Sequence, residues 1–341
     1  MTLKSIHRII ESARKHGARK FLVHVAVDLV EFIERKMVRF RDYSSRYKFF
    51  GVAKTSDTLI VVLAGYKPKL WPLTLHRIGM FAPPEAAVCV VTAGKFVENI
   101  DLICRSAGWT YLSVSKNKTG LALNKAIQLH PAAKWIFKMD EDIFVSKNFF
   151  KSLRKGYDDI ASEGEYNPGF CAPTINVNGV TYVSFLKHLG LSEDYVRDFG
   201  ELKVACNGVR AQADPSAAVW LWRRSLPLDK KAAEFSNELT VKSNFAQMIG
   251  TRFSIGAILM ERSFFDEIGG FRSAWRQGIL GVDEEALCAA CINFSRPMFY
   301  LSNVFAGHFS FFMQESAMMD ALPELSVLDP SVFVMPGEFS K

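Results

Sequence analysis

The 341-residue chain predicts an α/β protein: a doubly wound, mostly parallel sheet with flanking helices, preceded by a basic helical segment. Three observations predict it. Short apolar runs alternate with segments of helical spacing from residue 58 to residue 142. Three of those runs end in small or acidic residues, Gly65, Ala93-Gly94 and Asp140-Glu141-Asp142, and sheets of this kind bind ligands beyond the carboxyl ends of their strands. The formal charge of +7 lies in the N-terminus, where residues 1–50 hold twelve Lys/Arg against five Asp/Glu, leaving thirty of each sign for the rest.

Each element has its own signal. Residues 2–49 read as helical, with apolar residues at Ile6, Ile9, Ile10, Phe21, Leu22, Val25, Leu29, Phe32, Ile33 and Met37 and a break at Gly17. Their basic face suits packing on the main domain, the reading favoured here, or peripheral contact with an anionic membrane. No recognisable nucleic-acid-binding motif accompanies the charge, so no nucleic-acid partner is expected. Gly51–Asp57 reads as a linker. Thr58–Ala64 is a continuous apolar strand. Leu73–Phe81 follows Pro72 as a helix, Ala86–Thr92 is a second strand, Glu98–Ala107 a helix and Trp109–Val114 a third strand. Thr119–Leu129 is helical, and Lys134–Met139 is a fourth strand that runs into the acids. Beyond it, Asn148–Ile160 reads as helix, Gly169–Thr174 as strand, and Asn178-Gly179 as a turn. The stretch to about residue 250 mixes short helices and polar loops; its Trp220-Leu221-Trp222-Arg223-Arg224 reads as packing, with a sugar or anion clamp as the second reading. Ser254–Met260 is a strand, Arg262–Ile268 a helix stopped by Gly269-Gly270, and Gly281-Val282-Asp283-Glu284-Glu285 heads a helix through Cys291. Met298–Leu301 is a strand, and residues 316–341, with Pro323, Pro330 and Pro336, read as an irregular tail.

Composition sets the class. With 49% hydrophobic and 23% charged residues the chain has ample core. The longest apolar stretch, Phe21–Phe32, carries His24, Asp28 and Glu31, so no membrane span is expected, and no secretory signal is recognised. The six cysteines, at 89, 104, 171, 206, 288 and 291, sit in apolar segments and fit a reducing cytoplasm. Cys288-Ala-Ala-Cys291 lacks a second CxxC or His pair and reads as two helix cysteines one turn apart.

The acids carry the chemistry. In an extended chain Asp140 and Asp142 share a face and Glu141 points away. Two carboxylates at the end of a buried strand suit Mg²⁺ or Mn²⁺ with positions open to phosphate oxygens.

With these pieces in order the chain resembles a GT-A-fold glycosyltransferase, most similar to the large family 2 group. The resemblance rests on Asn117-Lys118-Thr119-Gly120-Leu121-Ala122-Leu123-Asn124, on Asp140-Glu141-Asp142 as a DxD motif, on Gly256-Ala257 through Phe265-Asp266-Glu267-Ile268-Gly269-Gly270-Phe271, on Gly281-Val282-Asp283-Glu284 and on His308. It covers 57–142, the nucleotide-sugar-binding half, and 254–310; residues 143–315 would form the acceptor-binding and catalytic half. It implies inverting transfer of a sugar from a nucleoside diphosphate, with uridine the favoured base, to a hydroxyl of a glycan or glycolipid, in bacterial surface polysaccharide synthesis. Asp142, Asp140 and His308 would hold Mn²⁺ or Mg²⁺. Asp283 falls on the aspartate of the family's Glu-Asp pair and is the first choice of general base, with the adjacent Glu284 the second; Val282 stands where the family has its preceding acid. Ala64, Gly65, Tyr66, Thr92, Gly94, Lys116, Asn117, Gly120 and Asp140 would line the donor pocket, and Trp275 would offer an acceptor platform. The second reading is a sugar-phosphate nucleotidyltransferase, for which Gly65-Tyr66-Lys67-Pro68-Lys69 makes a poor loop; the third is a non-catalytic membrane- or partner-binding protein using residues 1–50.

Overall fold

Leu59 and Val61 bury on one face of their strand and Ile60 and Val62 on the other, so a run that is apolar throughout becomes the centre of a sheet covered on both sides. Each such side chain contributes about 2 kcal/mol by leaving water. The computed structural model describes residues 45–205, 208–238 and 245–335, together with positions 25, 26, 29, 33 and 37. The chain divides into Met1–Arg46 and Tyr47–Lys341. In the first unit positions 25, 26, 29, 33 and 37 are helical, as the spacing predicts, whereas Ser45 and Arg46 are not; Val25, Leu29, Ile33 and Met37 are exposed, and Ile6, Ile9, Ile10, Phe21, Leu22 and Phe32 lie outside the described residues.

The second unit carries a ten-stranded mixed sheet. Its strands are β1 (Tyr47–Phe50), β2 (Thr58–Ala64), β3 (Ala87–Ala93), β4 (Thr110–Val114), β5 (Trp135–Asp140), β6 (Ile143–Val145), β7 (Phe170–Ile175), β8 (Ala246–Met248), β9 (Ala257–Glu261) and β10 (Met298–His308). The order is β1-β4-β3-β2-β5-β9-β7-β10-β6, with β8 on β10. Strands β4, β3, β2 and β5 are mutually parallel; β9 enters antiparallel between β5 and β7, and β10 runs parallel to β7.

Helices α1 (Trp71–Phe81), α2 (Glu98–Ala107) and α4 (Phe149–Glu163) pack on one face, and α3 (Thr119–Gln128), α10 (Arg262–Glu267) and α11 (Val282–Asn293) on the other. A third apolar cluster joins α5 (Tyr182–His188), α6 (Ser192–Phe199), α8 (Pro215–Ser225), α9 (Leu228–Glu238) and α12 (Glu315–Leu328) to Phe144, Phe305 and Phe309; the short α7 (Arg210–Ala213) and α13 (Pro330–Phe333) complete it. Among the described residues no helix is long and apolar enough to cross a membrane.

Three expectations change. Tyr47–Phe50, read as helix, forms the antiparallel edge strand on β4. Residues 315–328, read as irregular, are helical through Pro323, because Met318 and Leu325 bury in the third cluster. The first helix starts at Trp71 rather than Leu73, with Pro72 in its first turn, where the missing N–H has no partner to lose.

Candidate active site

The chain leaves β2 toward β3 and β4 on one side and returns at β5 on the other. Ligands in such sheets enter at this switch point, outside the carboxyl ends of the strands. Leu63 and Asp140 stand opposite each other there.

Glu141 joins the two strand ends. Its carboxylate accepts from the Gly65 N–H at 2.8 Å, from the Tyr66 N–H at 2.9 Å and from the Trp71 indole, and its carbonyl accepts from the Thr74 hydroxyl at 2.7 Å. Glu141 lies in the turn after β5, and its carboxylate fixes the loop that follows β2. No local sequence signal marks this role.

The loop meets two other residues through Tyr66. Tyr66 OH donates to Asn117 Oδ1 at 2.8 Å, and Lys95 Nζ lies 4.4 Å over the Tyr66 ring. Gly94 has φ +81°, and a Cβ there would fall 2.7 Å from Asn117 Cβ. The loop before α11 reaches the same point: Gly278 N–H donates to the Asn117 carbonyl at 2.9 Å and Asn117 N–H to Gln277 Oε1 at 2.9 Å. Lys116 is half-buried beside it. Three of the expected pocket residues lie deeper. Ala64 is buried, and fully buried Thr92 donates to the Lys95 carbonyl at 2.6 Å and bonds Tyr111 OH. Gly120 lets the start of α3 approach Arg272, whose carbonyl would lie 2.3 Å from any Cβ.

Asp140 and Asp142 sit in different fields. Lys138 Nζ donates to Asp140 Oδ1 at 2.6 Å and to the Ile255 carbonyl at 2.7 Å. Burial pushes the Asp140 carboxyl up, to about 6; Lys138 opposes this and Asp142 adds to it. A third of that side chain still reaches solvent, which screens part of the rise. At Asp142 burial also raises the carboxyl, but His308 and Lys67 together outweigh it and hold the group well below the ordinary range. Lys67 pairs with Asp142 Oδ2 and donates to the Ser310 carbonyl at 2.7 Å.

His308 is held on three sides. Its N–H donates to Asn176 Oδ1 at 3.0 Å, its carbonyl accepts from Trp222 Nε1 at 2.8 Å, and its Nδ1 lies 2.9 Å from the Val177 carbonyl. That carbonyl only accepts, so Nδ1 carries a proton, and Nε2 lies 3.1 Å from Asp142 Oδ2, the distance of an imidazole–carboxylate hydrogen bond. A histidine whose far nitrogen is tied to a carbonyl is the usual form of a metal-ligating imidazole. Donor atoms 3.1 Å apart also match neighbouring ligands of one octahedral ion at about 2.1 Å from each. Among the described residues no group of three or more His, Cys, Asp or Glu is arranged to hold a metal. Asp142 and His308 thus offer two donor atoms, and an ion held between them would have to take its other ligands from a bound molecule and water.

Asp283 and Glu284 share the first turn of α11. Glu284 is paired with Arg252, Nε to Oε1 at 2.7 Å. Asp283 is buried, and among the described residues no hydrogen bond or ion pair reaches its carboxylate. Neither is hydrogen-bonded to Asp142 or His308. Trp275 is half exposed on the loop between. Trp222 is fully buried and Trp220 nearly so, bonded to Asp198 at 3.0 Å; with Arg223 paired to Glu324, this segment packs and makes no clamp. Cys288 and Cys291 are buried free thiols.

No family model matches the sequence, and no curated protein matches it. Solved structures share the general arrangement distantly. Mannosyltransferase PcManGT from Pyrobaculum calidifontis, in complex with GDP-Man and Mn²⁺, is 10% identical with a TM-score of 0.46, over 92% of this chain and 76% of that one. TarS from S. aureus in complex with UDP-GlcNAc is 11% identical with a TM-score of 0.41, over 79% and 66%. A cytidylyltransferase from Leptospira borgpetersenii reaches a TM-score of 0.27 over 35% of this chain. Likenesses this distant carry no weight for function, which rests on the residues alone.

Proposed function

We propose that the chain is a glycosyltransferase that moves a sugar from a nucleoside-diphosphate donor to an acceptor hydroxyl, with inversion, using a divalent cation. The observation that carries this reading is the meeting of Asp142, His308 and the Glu141-anchored Gly65–Tyr66 loop at the switch point of the sheet. Asp142 and His308 would hold Mn²⁺ or Mg²⁺, with Asp140 acting through water since Lys138 holds one of its oxygens. The cation would supply neutralisation of the departing diphosphate. Tyr66 presents an exposed ring at the loop tip, beside Asn117 and Lys95, suited to stacking on a base.

Asp283 is the general base in this reading. A base must be free to take the acceptor proton, and Glu284 is engaged with Arg252 whereas Asp283 is not. It lies in the first turn of α11, next to Glu284.

Calorimetry with UDP and GDP, with and without Mn²⁺, tests the reading. Nucleotide binding that strengthens with Mn²⁺ and loses that gain in Asp142→Ala is expected. Binding indifferent to both would remove the premise. The glycan or glycolipid acceptor, the surface-polysaccharide setting and a cytoplasmic site with peripheral membrane contact through residues 1–50 belong to the same proposal.

A further inference from the structure

The Lys67 ammonium stands where the reading above needs a cation. It follows β2 by three residues, on the loop that Glu141 fixes by its backbone, and it is nearly buried, with 14% of its side chain exposed. Its contacts are Asp142 Oδ2, the Ser310 carbonyl at 2.7 Å and Ser310 Oγ at 3.3 Å. An ammonium has three protons, so these acceptors satisfy it completely. Asp142 Oδ2 is also the atom facing His308 Nε2. One oxygen thus serves both the lysine and the imidazole, and a divalent ion bound between Asp142 and His308 would meet the ammonium head-on.

Two like charges on one carboxylate oxygen in a buried corner repel strongly. The lysine stem is flexible, its base is anchored, and Lys95 and Asn117 border the same loop through Tyr66. We infer that Lys67 is a resident counter-ion for Asp142 that the divalent cation displaces, and that the freed ammonium then pairs with the donor's diphosphate. This rests on the glycosyltransferase reading of the site and assigns it an additional phosphate-binding residue. It makes cation and nucleotide bind together: a cation alone must evict a satisfied ammonium, whereas a cation arriving with diphosphate gives that ammonium a new anion. It also keeps Asp142 neutralised between turnovers, when a bare buried carboxylate would be costly.

The test uses the whole wild-type chain. MnCl₂ is titrated in, bound ion is read by electron paramagnetic resonance, and acetylation of Lys67 by acetic anhydride is read at each point by peptide mass spectrometry. Lys67 should be poorly labelled without metal, become about tenfold more reactive as Mn²⁺ binds, and be protected again when UDP or GDP is added. Lys67→Met should bind Mn²⁺ about tenfold tighter without nucleotide and show less synergy between the two ligands. Labelling that stays constant while Mn²⁺ binds overturns the role of Lys67 and leaves the metal site standing, as does a folded Lys67→Met with unchanged affinity. No bound Mn²⁺ even with UDP or GDP present overturns both.

Discussion

Asp142 and Asp283 are both buried acids, and their surroundings are opposite. Asp142 lies among Lys67, His308 and Ser310, with His308 itself tied to Asn176, Val177 and Trp222. Asp283 has no such partner among the described residues, although Glu284, one position along the same turn, is paired with Arg252. The difference teaches how to separate two carboxylate jobs. A carboxylate meant to hold a cation is built into a field of positive charge and keeps its ionised form. In the reading proposed above, the acid that takes the proton, Asp283, is the one left without a donor among the described residues.

Several changes would break that contrast. The largest effect is expected at Asp142→Ala, which should lower sugar transfer by about 10³-fold by removing electrostatic stabilisation of the leaving group; a steady-state assay decides it. Next comes Asp283→Asn, expected to lower kcat by about 10²- to 10⁴-fold with donor affinity unchanged, while Glu284→Gln should cost less than about tenfold. Equal losses in the two variants would erase the distinction between them. Asn176→Ala should lower stability by about 1–3 kcal/mol, because it leaves the buried His308 backbone N–H without its acceptor, measurable by urea unfolding. Glu141→Ala should also cost about 3 kcal/mol, because it leaves the Gly65 and Tyr66 N–H groups without their acceptor. The smallest effect tests the cysteines: burial pushes the Cys288 thiol up to about 11, above ordinary assay pH, so it stays protonated and iodoacetamide should label it at pH 8 only after unfolding.

The parallel half of the sheet was legible because its strands are short apolar runs with helices between them, all local signals. The acidic strand end was legible too, but Glu141 and Asp142 lie in the turn beyond β5, where strand alternation does not set their directions. The rest depends on contacts far apart in the chain. Asn176 and Trp222 reach His308 across 132 and 86 positions, and nothing in residues 143–250 marks them beforehand. Lys67 was visible only as part of a short basic loop. Its meaning comes from Ser310, 243 positions away. Tyr47–Phe50 is too short for its aromatic composition to mark a strand and is set by the edge of β4, and the helix through Pro323 is held by tertiary burial against its local preference.

The most direct measurement is hydrolysis of a panel of nucleotide sugars in the presence of Mn²⁺, comparing the wild type with Asp142→Ala. Slow release of nucleoside diphosphate from one donor, absent without Mn²⁺ and absent in the variant, is the predicted result. A panel with no hydrolysis, together with nucleotide binding that Asp142→Ala leaves unchanged, would contradict the assignment of this cleft to nucleotide-sugar chemistry.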